Sequence, residues 1–309
     1  MNYDSQPERE PPRAADDALE PADCPNGCDP AGDALLHEFG AYAVRRCGGC
    51  GLVRLSPRPA ESGLAEFYGR GYFSGEHGAG YDRYAEDAAL YERTFARRVK
   101  LIRRFKPRGR LLDVGCGFGY FLPVARRAGY EPHGLDLSAY AVERALALSP
   151  APVRRGSLAP GLYPEKYFDV VTMSDLFEHV YRPREFARTL HSVTKDDGVV
   201  VITTPNQSSL LARVSGRNWV SYKIPEHVFY YTPQTLGRTV APWFEIARVR
   251  SEGQYCTLEF LAERAKTLSR PLGAASLRAV RALGAGRLPV YVNSGSMTAV
   301  LTKRRDVRA

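Results

Sequence analysis

Three groups of residues in this 309-residue chain could do chemistry. The first is Leu111-Leu112-Asp113-Val114-Gly115-Cys116-Gly117-Phe118-Gly119, an apolar strand that turns on three alternate glycines into a helix-compatible run ending at Gly129. Glycine has no Cβ, so such a turn can take positive φ and bring main-chain N–H groups against a ligand. A second strand, Glu131–Leu135, ends on Asp136. That is where a strand-turn-helix-strand unit places a carboxylate on ribose hydroxyls. The second group is Ser174-Asp175-Leu176-Phe177-Glu178-His179 with Pro225-Glu226-His227, two acid and imidazole pairs that could converge for proton transfer or ion binding. The third is Cys24-Pro-Asn-Gly-Cys28 and Cys47-Gly-Gly-Cys50, two hooks separated by 18 residues. That spacing suits a tetrahedral Cys₄ zinc ribbon, and a metal would stabilise a segment too short to bury its own core. Cys116 stands alone in the glycine turn and reads as a small buried filler.

The elements that must position these groups follow from apolar spacing. A helix is expected from Tyr84 to Lys106, with Ala88, Tyr91, Phe95, Val99 and Ile102 three to four residues apart. After Asp136, Ser138 is the expected N-cap of a helix reaching Leu148. Strands are expected at Pro152–Arg155, Phe168–Ser174, Gly198–Asn206, Phe244–Arg250 and Val290–Thr302, with a helix at Arg184–Thr194 and a basic helical insertion before the last strand. The organisation expected is a disordered acidic tail over 1–22, a zinc ribbon over 23–58, an aromatic lid and helical linker over 59–107 and an α/β domain over 108–309, with an acceptor loop at 205–232 and the helical insertion at 257–287. The lid would carry Tyr68, Tyr72, Phe73, Tyr81, Tyr84 and Tyr91 on glycine-rich backbone.

The formal net charge is +9 although the first 23 residues hold seven acids against two arginines, so the remainder is distinctly basic. Most of that charge is arginine on expected helix faces, among them Arg97, Arg98, Arg103 and Arg104, and reads as a solvated surface. An anionic partner, nucleic acid included, stays open. No apolar run suits a membrane span and no signal peptide is evident, so a cytoplasmic location is expected.

The spelling Asp-Val-Gly-Cys-Gly-Phe-Gly followed by Gly134-Leu135-Asp136-Leu137-Ser138 resembles the class I S-adenosylmethionine-dependent methyltransferases rather than a dinucleotide-binding Gly-x-Gly-x-x-Gly fold. With the cysteine hooks, the Gly51–Pro59 segment and Phe67–Phe73, the order from Cys24 onward is similar to a bacterial group with an N-terminal zinc-binding segment that includes sugar C-methyltransferases. The resemblance implies a Rossmann-like seven-stranded α/β sheet with its last strand antiparallel, S-adenosylmethionine as cofactor and structural zinc on Cys24, Cys28, Cys47 and Cys50. It assigns cofactor contacts to Asp113, Gly115, Gly117, Gly119, Asp136, Leu137, Ser157, Leu158 and Ser174. Ser157 stands where many relatives carry aspartate.

Three readings compete for Glu178, His179, Glu226 and His227. Glu226 could orient the His227 ring as a general base. Alternatively Asp175, Glu178, His179 and His227 could hold Mg²⁺ or a similar ion, resembling the Glu-x-x-Glu-His sites of RNA-terminal ribose methyltransferases. In the third, these residues only tie loops together. The absence of an Asn-Pro-Pro-Tyr or Asp-Pro-Pro-Tyr run argues against exocyclic amines of adenine and glutamine side chains as acceptors. The resulting expectation is methyl transfer to oxygen or carbon of a small-molecule acceptor: a nucleotide-linked sugar, glycan or secondary metabolite. An RNA ribose methyltransferase and a non-catalytic scaffold are the alternatives.

Overall fold

The computed structural model describes residues 19–61, 88–266 and 269–304, and elements are numbered within them. The N-terminal unit holds Leu19–Glu20 (β1), Ala34–Phe39 (β2), Tyr42–Arg46 (β3), Val53–Leu55 (β4) and Arg58–Pro59 (β5). Strand β1 pairs antiparallel with β5, and the buried Arg54 guanidinium donates to the Ala22 carbonyl at 2.7 Å and to Asp33. The acidic tail expected over 1–22 is therefore shortened at its far end. Residues 19–22 are tied to the ribbon by main-chain pairing, and 1–18 lie outside the described residues.

The first described helix, Ala88–Ile102 (α1), leads into Gly109–Val114 (β6), Phe121–Arg127 (α2), Tyr130–Asp136 (β7), Ala139–Leu148 (α3), Val153–Arg155 (β8) and Phe168–Ser174 (β9). Then come Pro183–Val193 (α4), Thr194–Pro205 (β10), Leu210–Ser215 (α5), Phe229–Tyr230 (β11), Pro233–Val240 (α6), Phe244–Thr257 (β12), Leu258–Ala265 (α7), Arg270–Ala282 (α8) and Pro289–Lys303 (β13). Seven strands form one sheet in the order β12-β13-β10-β9-β6-β7-β8, in which β13 runs antiparallel to both neighbours and the other adjacent pairs are parallel. Strand β9 and the Gly198–Pro205 part of β10 are buried along nearly their whole length because helices cover both faces of a parallel sheet. Crossovers of this kind leave the carboxyl ends of the parallel strands as the open edge.

The cysteine unit is not the separate domain expected over 23–58. Strand β11, from the 205–232 segment, adds to it antiparallel to β4 and completes the sheet β11-β4-β3-β2. Cys24, Cys47, Cys50 and Leu52 share one core with Phe177, Val228, Phe229, Tyr231 and Leu236. So short a segment cannot bury enough apolar surface alone, and borrowing a strand both closes an open edge and enlarges its core.

Strands β12 and β13 continue past the end of β10. Their pairs Gln254↔Val292 to Thr257↔Pro289 lie beyond Pro205↔Ser296 and carry α7 and α8 as the helical insertion. No helix of the described residues is long and apolar enough to cross a membrane. Of the expected lid, Tyr68, Tyr72, Phe73, Tyr81 and Tyr84 lie outside the described residues, while Tyr91 stacks on Tyr120 with ring centroids 6.1 Å apart.

Candidate active site

The carboxyl ends of the parallel strands open onto a cavity of about 1710 Å³, against the roughly 300–1,000 Å³ that holds one drug-sized ligand. It has room for two small molecules. Asp113, Gly115, Gly117, Asp136, Leu137, Ser157, Leu158 and Ser174 line one part, and Glu178, His179 and His227 line another.

The glycine turn is built as a cradle. Gly115 and Gly117 sit at φ +70° and +54°, in the left-handed region that favours glycine. The N–H groups of Gly115 and Cys116 donate to the Leu135 carbonyl at 2.8 and 3.1 Å, which staples the turn to β7. Asp136 closes it, accepting from Gly117 N at 2.8 Å and from Ser138 N at 2.9 Å. Its two oxygens have lone pairs beyond those two bonds, so it can also accept from a pair of hydroxyls. Burial raises its pKa, and the N–H groups of Ser138 and Gly117 oppose the rise. Beneath the turn, burial pushes Asp113 up to about 7 against the hydrogen bond from Thr172, whose hydroxyl lies 2.7 Å away. Cys116 is filler, as expected. A Cβ on Gly134 would lie 2.9 Å from its sulfur, and burial raises the thiol well above its ordinary range.

Gly119 departs from its expected role. It does not line the cavity, and at φ +77° it faces α3, where an added Cβ would lie 2.9 Å from the Ala145 Cβ. Its glycine is required for packing and backbone conformation. Gly119→Ala is expected to cost about 1–3 kcal/mol, read as a lower urea midpoint; an unchanged midpoint would show that α3 shifts freely.

Arg98 does not lie on the solvated surface expected for it: it is buried at 8% exposure on the cavity wall, its Nε 3.9 Å from Glu252 Oε1. Arg97 is also engaged, its guanidinium 4.2 Å over the Tyr291 ring. A signal for Arg98 existed: it lies three residues after Phe95 and four before Ile102, on the buried stripe of α1.

On the other side of the cavity, Glu178 and His179 lie in the 3₁₀ turn Phe177–His179 that follows β9. Thr204 Oγ1 donates to Glu178 Oε2 at 2.9 Å, and Glu178 Oε1 lies 4.0 Å from His227 Nε2. His227 Nδ1 faces the Ser221 carbonyl at 2.9 Å, His179 Nδ1 faces the Glu226 carbonyl at 2.9 Å, and the two rings stand perpendicular with centroids 4.6 Å apart. Burial pushes Glu178 up to about 8, with Asp175 adding to the rise. Burial and Lys223 hold His179 down to about 3, and His227 is held well below its ordinary range by burial, His179 and Lys223. Both imidazoles are therefore neutral at physiological pH, and His227, anchored through Nδ1, carries its lone pair on Nε2.

These contacts change the expected membership of the centre. The Ser221 carbonyl orients the His227 ring, and Glu226 instead offers its main-chain carbonyl to His179. A main-chain acceptor fixes the ring without bringing a second buried charge. Asp175 is exposed at φ +53° and stands outside the Glu178, His179, His227 group. Trp219, Tyr230 and Tyr231, within the segment expected as the acceptor loop, are 2%, 1% and 0% exposed and pack in the cores around the cysteine unit. Of that loop segment Pro205, Val220, Ser221, Lys223 and His227 line the cavity.

The four hook cysteines bring one sulfur each to within 4.8 Å of one another. Asn26 Nδ2 points at Cys50 Sγ from 3.4 Å and Cys50 N at Cys47 Sγ from 3.5 Å. Burial raises the Cys47 thiol, but the N–H of Cys50 and the neighbouring thiols outweigh it and hold Cys47 at about 7. Converging sulfurs with N–H groups aimed at them suit a tetrahedral thiolate site.

The family described as a methyltransferase domain matches residues 81–241, just over half of the chain. The ubiquinone biosynthesis O-methyltransferase, mitochondrial, of Schizosaccharomyces pombe is 33% identical over 131 residues, which are 40% of this chain and 46% of that protein. The ubiquinone biosynthesis O-methyltransferase of Xanthomonas campestris pv. campestris strain B100 is 27% identical over 47% of this chain and 64% of its own. The chain thus spans about half the length of these curated relatives. Among solved structures, a SAM-dependent methyltransferase from Thermotoga maritima shares the fold at 16% identity and TM-score 0.50, covering 76% of this chain and all of that one. One chain of a Haloferax volcanii complex between the Trm112 methyltransferase activator and a methyltransferase does so at 14% identity and TM-score 0.51, over 71% of this chain and 93% of that chain. The glycine turn, the acidic end of β7 and the seven-stranded sheet agree with these matches: the chain belongs to the methyltransferase-domain family and is of its class I, S-adenosylmethionine-dependent kind.

Proposed function

We propose that the protein transfers a methyl group from S-adenosylmethionine to an oxygen or carbon of a small molecule, a nucleotide-linked sugar, glycan or secondary metabolite. One observation carries this reading: the glycine cradle with Asp136 and the Glu178, His179, His227 centre open onto one cavity. The O-methyltransferase names of the curated relatives support oxygen as an acceptor atom.

When bound, S-adenosylmethionine supplies a methyl group already activated on a sulfonium. The chain's work is then to position and to exclude water. Gly115 and Gly117 present a backbone that a side chain would cover, Asp136 would take the ribose hydroxyls, and Arg98 would supply a cation for the carboxylate of the amino-acid part. Glu178, His179 and His227 would face the bound acceptor. Cys24, Cys28, Cys47 and Cys50 hold zinc, which braces the sheet behind His227.

His227→Ala is expected to leave the affinity for S-adenosylmethionine within about twofold and to slow transfer by roughly 100-fold or more. Calorimetry and single-turnover rates with an acceptor found by screening separate the two effects. Unchanged turnover would remove His227 from the acceptor's chemistry.

A further inference from the structure

The acceptor-side centre shows three donors arranged around one point. Glu178, His179 and His227 each bring a ligand-competent atom to within 4.8 Å of the others. Because His227 Nδ1 faces the Ser221 carbonyl at 2.9 Å, the ring's proton belongs on Nδ1 and its lone pair on Nε2. The Glu226 carbonyl holds His179 at Nδ1 in the same manner. Such anchoring of an imidazole by a carbonyl is how ligating histidines are usually oriented. Glu178 is aimed too: Thr204 occupies Oε2, while Oε1 is buried and lacks a hydrogen-bond partner among the described residues.

The spacing distinguishes a hydrogen bond from a shared ion. Glu178 Oε1 and His227 Nε2 are 4.0 Å apart, too far for a hydrogen bond, which needs roughly 3 Å. Two donors each about 2.0–2.2 Å from one tetrahedrally bound ion stand roughly 3.4 Å apart, so a shared ion would draw this pair together by about half an ångström. A cation placed between Oε1 and Nε2 would meet a lone pair from each, out of competition with bulk water.

We propose that Glu178, His179 and His227 hold a divalent transition ion, a second metal centre separate from the four cysteines. Two imidazole nitrogens and one carboxylate oxygen suit the borderline ions, Zn²⁺, Mn²⁺, Fe²⁺ and Co²⁺; Mg²⁺ takes oxygen ligands and a rigid octahedron instead. The sheet does not place Asp175 among the donors, since it is exposed and outside the group. Three protein ligands leave positions open toward the cavity, and the acceptor class that fits them bears two adjacent oxygens, as in a vicinal diol or catechol. That last assignment rests on the proposed methyl transfer; occupancy by the ion does not.

The test is titration of the full chain, its cysteine site loaded with zinc, with Co²⁺. A single Co²⁺ is expected to bind with visible d–d absorption and no thiolate-to-cobalt charge-transfer band, because its ligands carry no sulfur. Loss of a ligand should cost at least as much as loss of a ligand's supporting partner, so His227→Ala and Glu178→Gln are each expected to weaken Co²⁺ binding by on the order of 100-fold. Their S-adenosylmethionine affinity, measured by calorimetry on the same samples, reports that they are folded. Failure to take up Co²⁺, or uptake equal in both variants and the unmodified protein, overturns the centre. Failure of the unmodified protein to bind S-adenosylmethionine would count against the methyltransferase reading and leave the Co²⁺ result standing.

Discussion

Asp136→Ala is expected to weaken binding of S-adenosylmethionine by about 100-fold or more, a loss of about 2.7 kcal/mol, with the protein still folded by circular dichroism. The carboxylate does two jobs. It ties the glycine turn through Gly117 N at 2.8 Å and Ser138 N at 2.9 Å, and it presents its remaining lone pairs to the cavity. Hydrogen bonds to a charged group contribute roughly 1.5–3 kcal/mol each, so losing a pair to the ribose would suffice before any loosening of the turn is counted. Asp136→Asn separates the contributions. It retains one acceptor oxygen but replaces the other with a donor that faces an N–H, and an intermediate affinity is expected. Calorimetric titration checks all three proteins, and unaltered affinity in Asp136→Ala would place the cofactor elsewhere in the cavity.

The cofactor half of the fold was legible because its signals are local. Phe168–Ser174 is strand where its apolar run places it, and Ser138 caps α3 with its hydroxyl accepting from Ala141 N, as a serine before an apolar periodic run should. The acceptor half depends on main-chain groups that sequence does not display. Any residue could supply the carbonyl that Ser221 turns toward His227, so a neighbouring glutamate was the natural candidate for an orienting group and the wrong one. Strand β11 is two residues long, Phe229 and Tyr230, too short for any period to show, yet its pairing to β4 decides where the cysteine unit sits. Arg98 was misplaced for a different reason. Composition marks arginine as surface, and its position on the buried stripe of α1 outweighs that prior only when buried acids such as Asp113 and Glu252 face it.

The same short pairing gives the cysteines a reach beyond their own unit, and Cys47→Ser is expected to show it. Strand β4 begins three residues after Cys50, and its Leu55 N donates to the Val228 carbonyl at 3.0 Å, while Val228 N donates to the Glu178 carbonyl at 3.0 Å. The peptide next to His227 is therefore clamped between the cysteine unit and the turn that carries Glu178. Arg238 adds a second clamp, donating to the Cys50 carbonyl at 2.7 Å from α6. A structural zinc contributes roughly 10–16 kcal/mol in small zinc domains, and loss of one thiolate should forfeit several kcal/mol of it. Cys47→Ser is expected to lose bound zinc, to melt well below the unmodified protein, and to lose turnover by a larger factor than it loses S-adenosylmethionine affinity. The asymmetry follows from the sheet: the glycine turn and Asp136 hang on β6 and β7, which do not pair with β4 or β11, whereas His227 immediately precedes the clamped peptide. Equal losses of affinity and turnover would mean that the cysteine unit supports the whole fold rather than the His227 side, and retention of zinc with unchanged melting would remove Cys47 from the proposed ligand set.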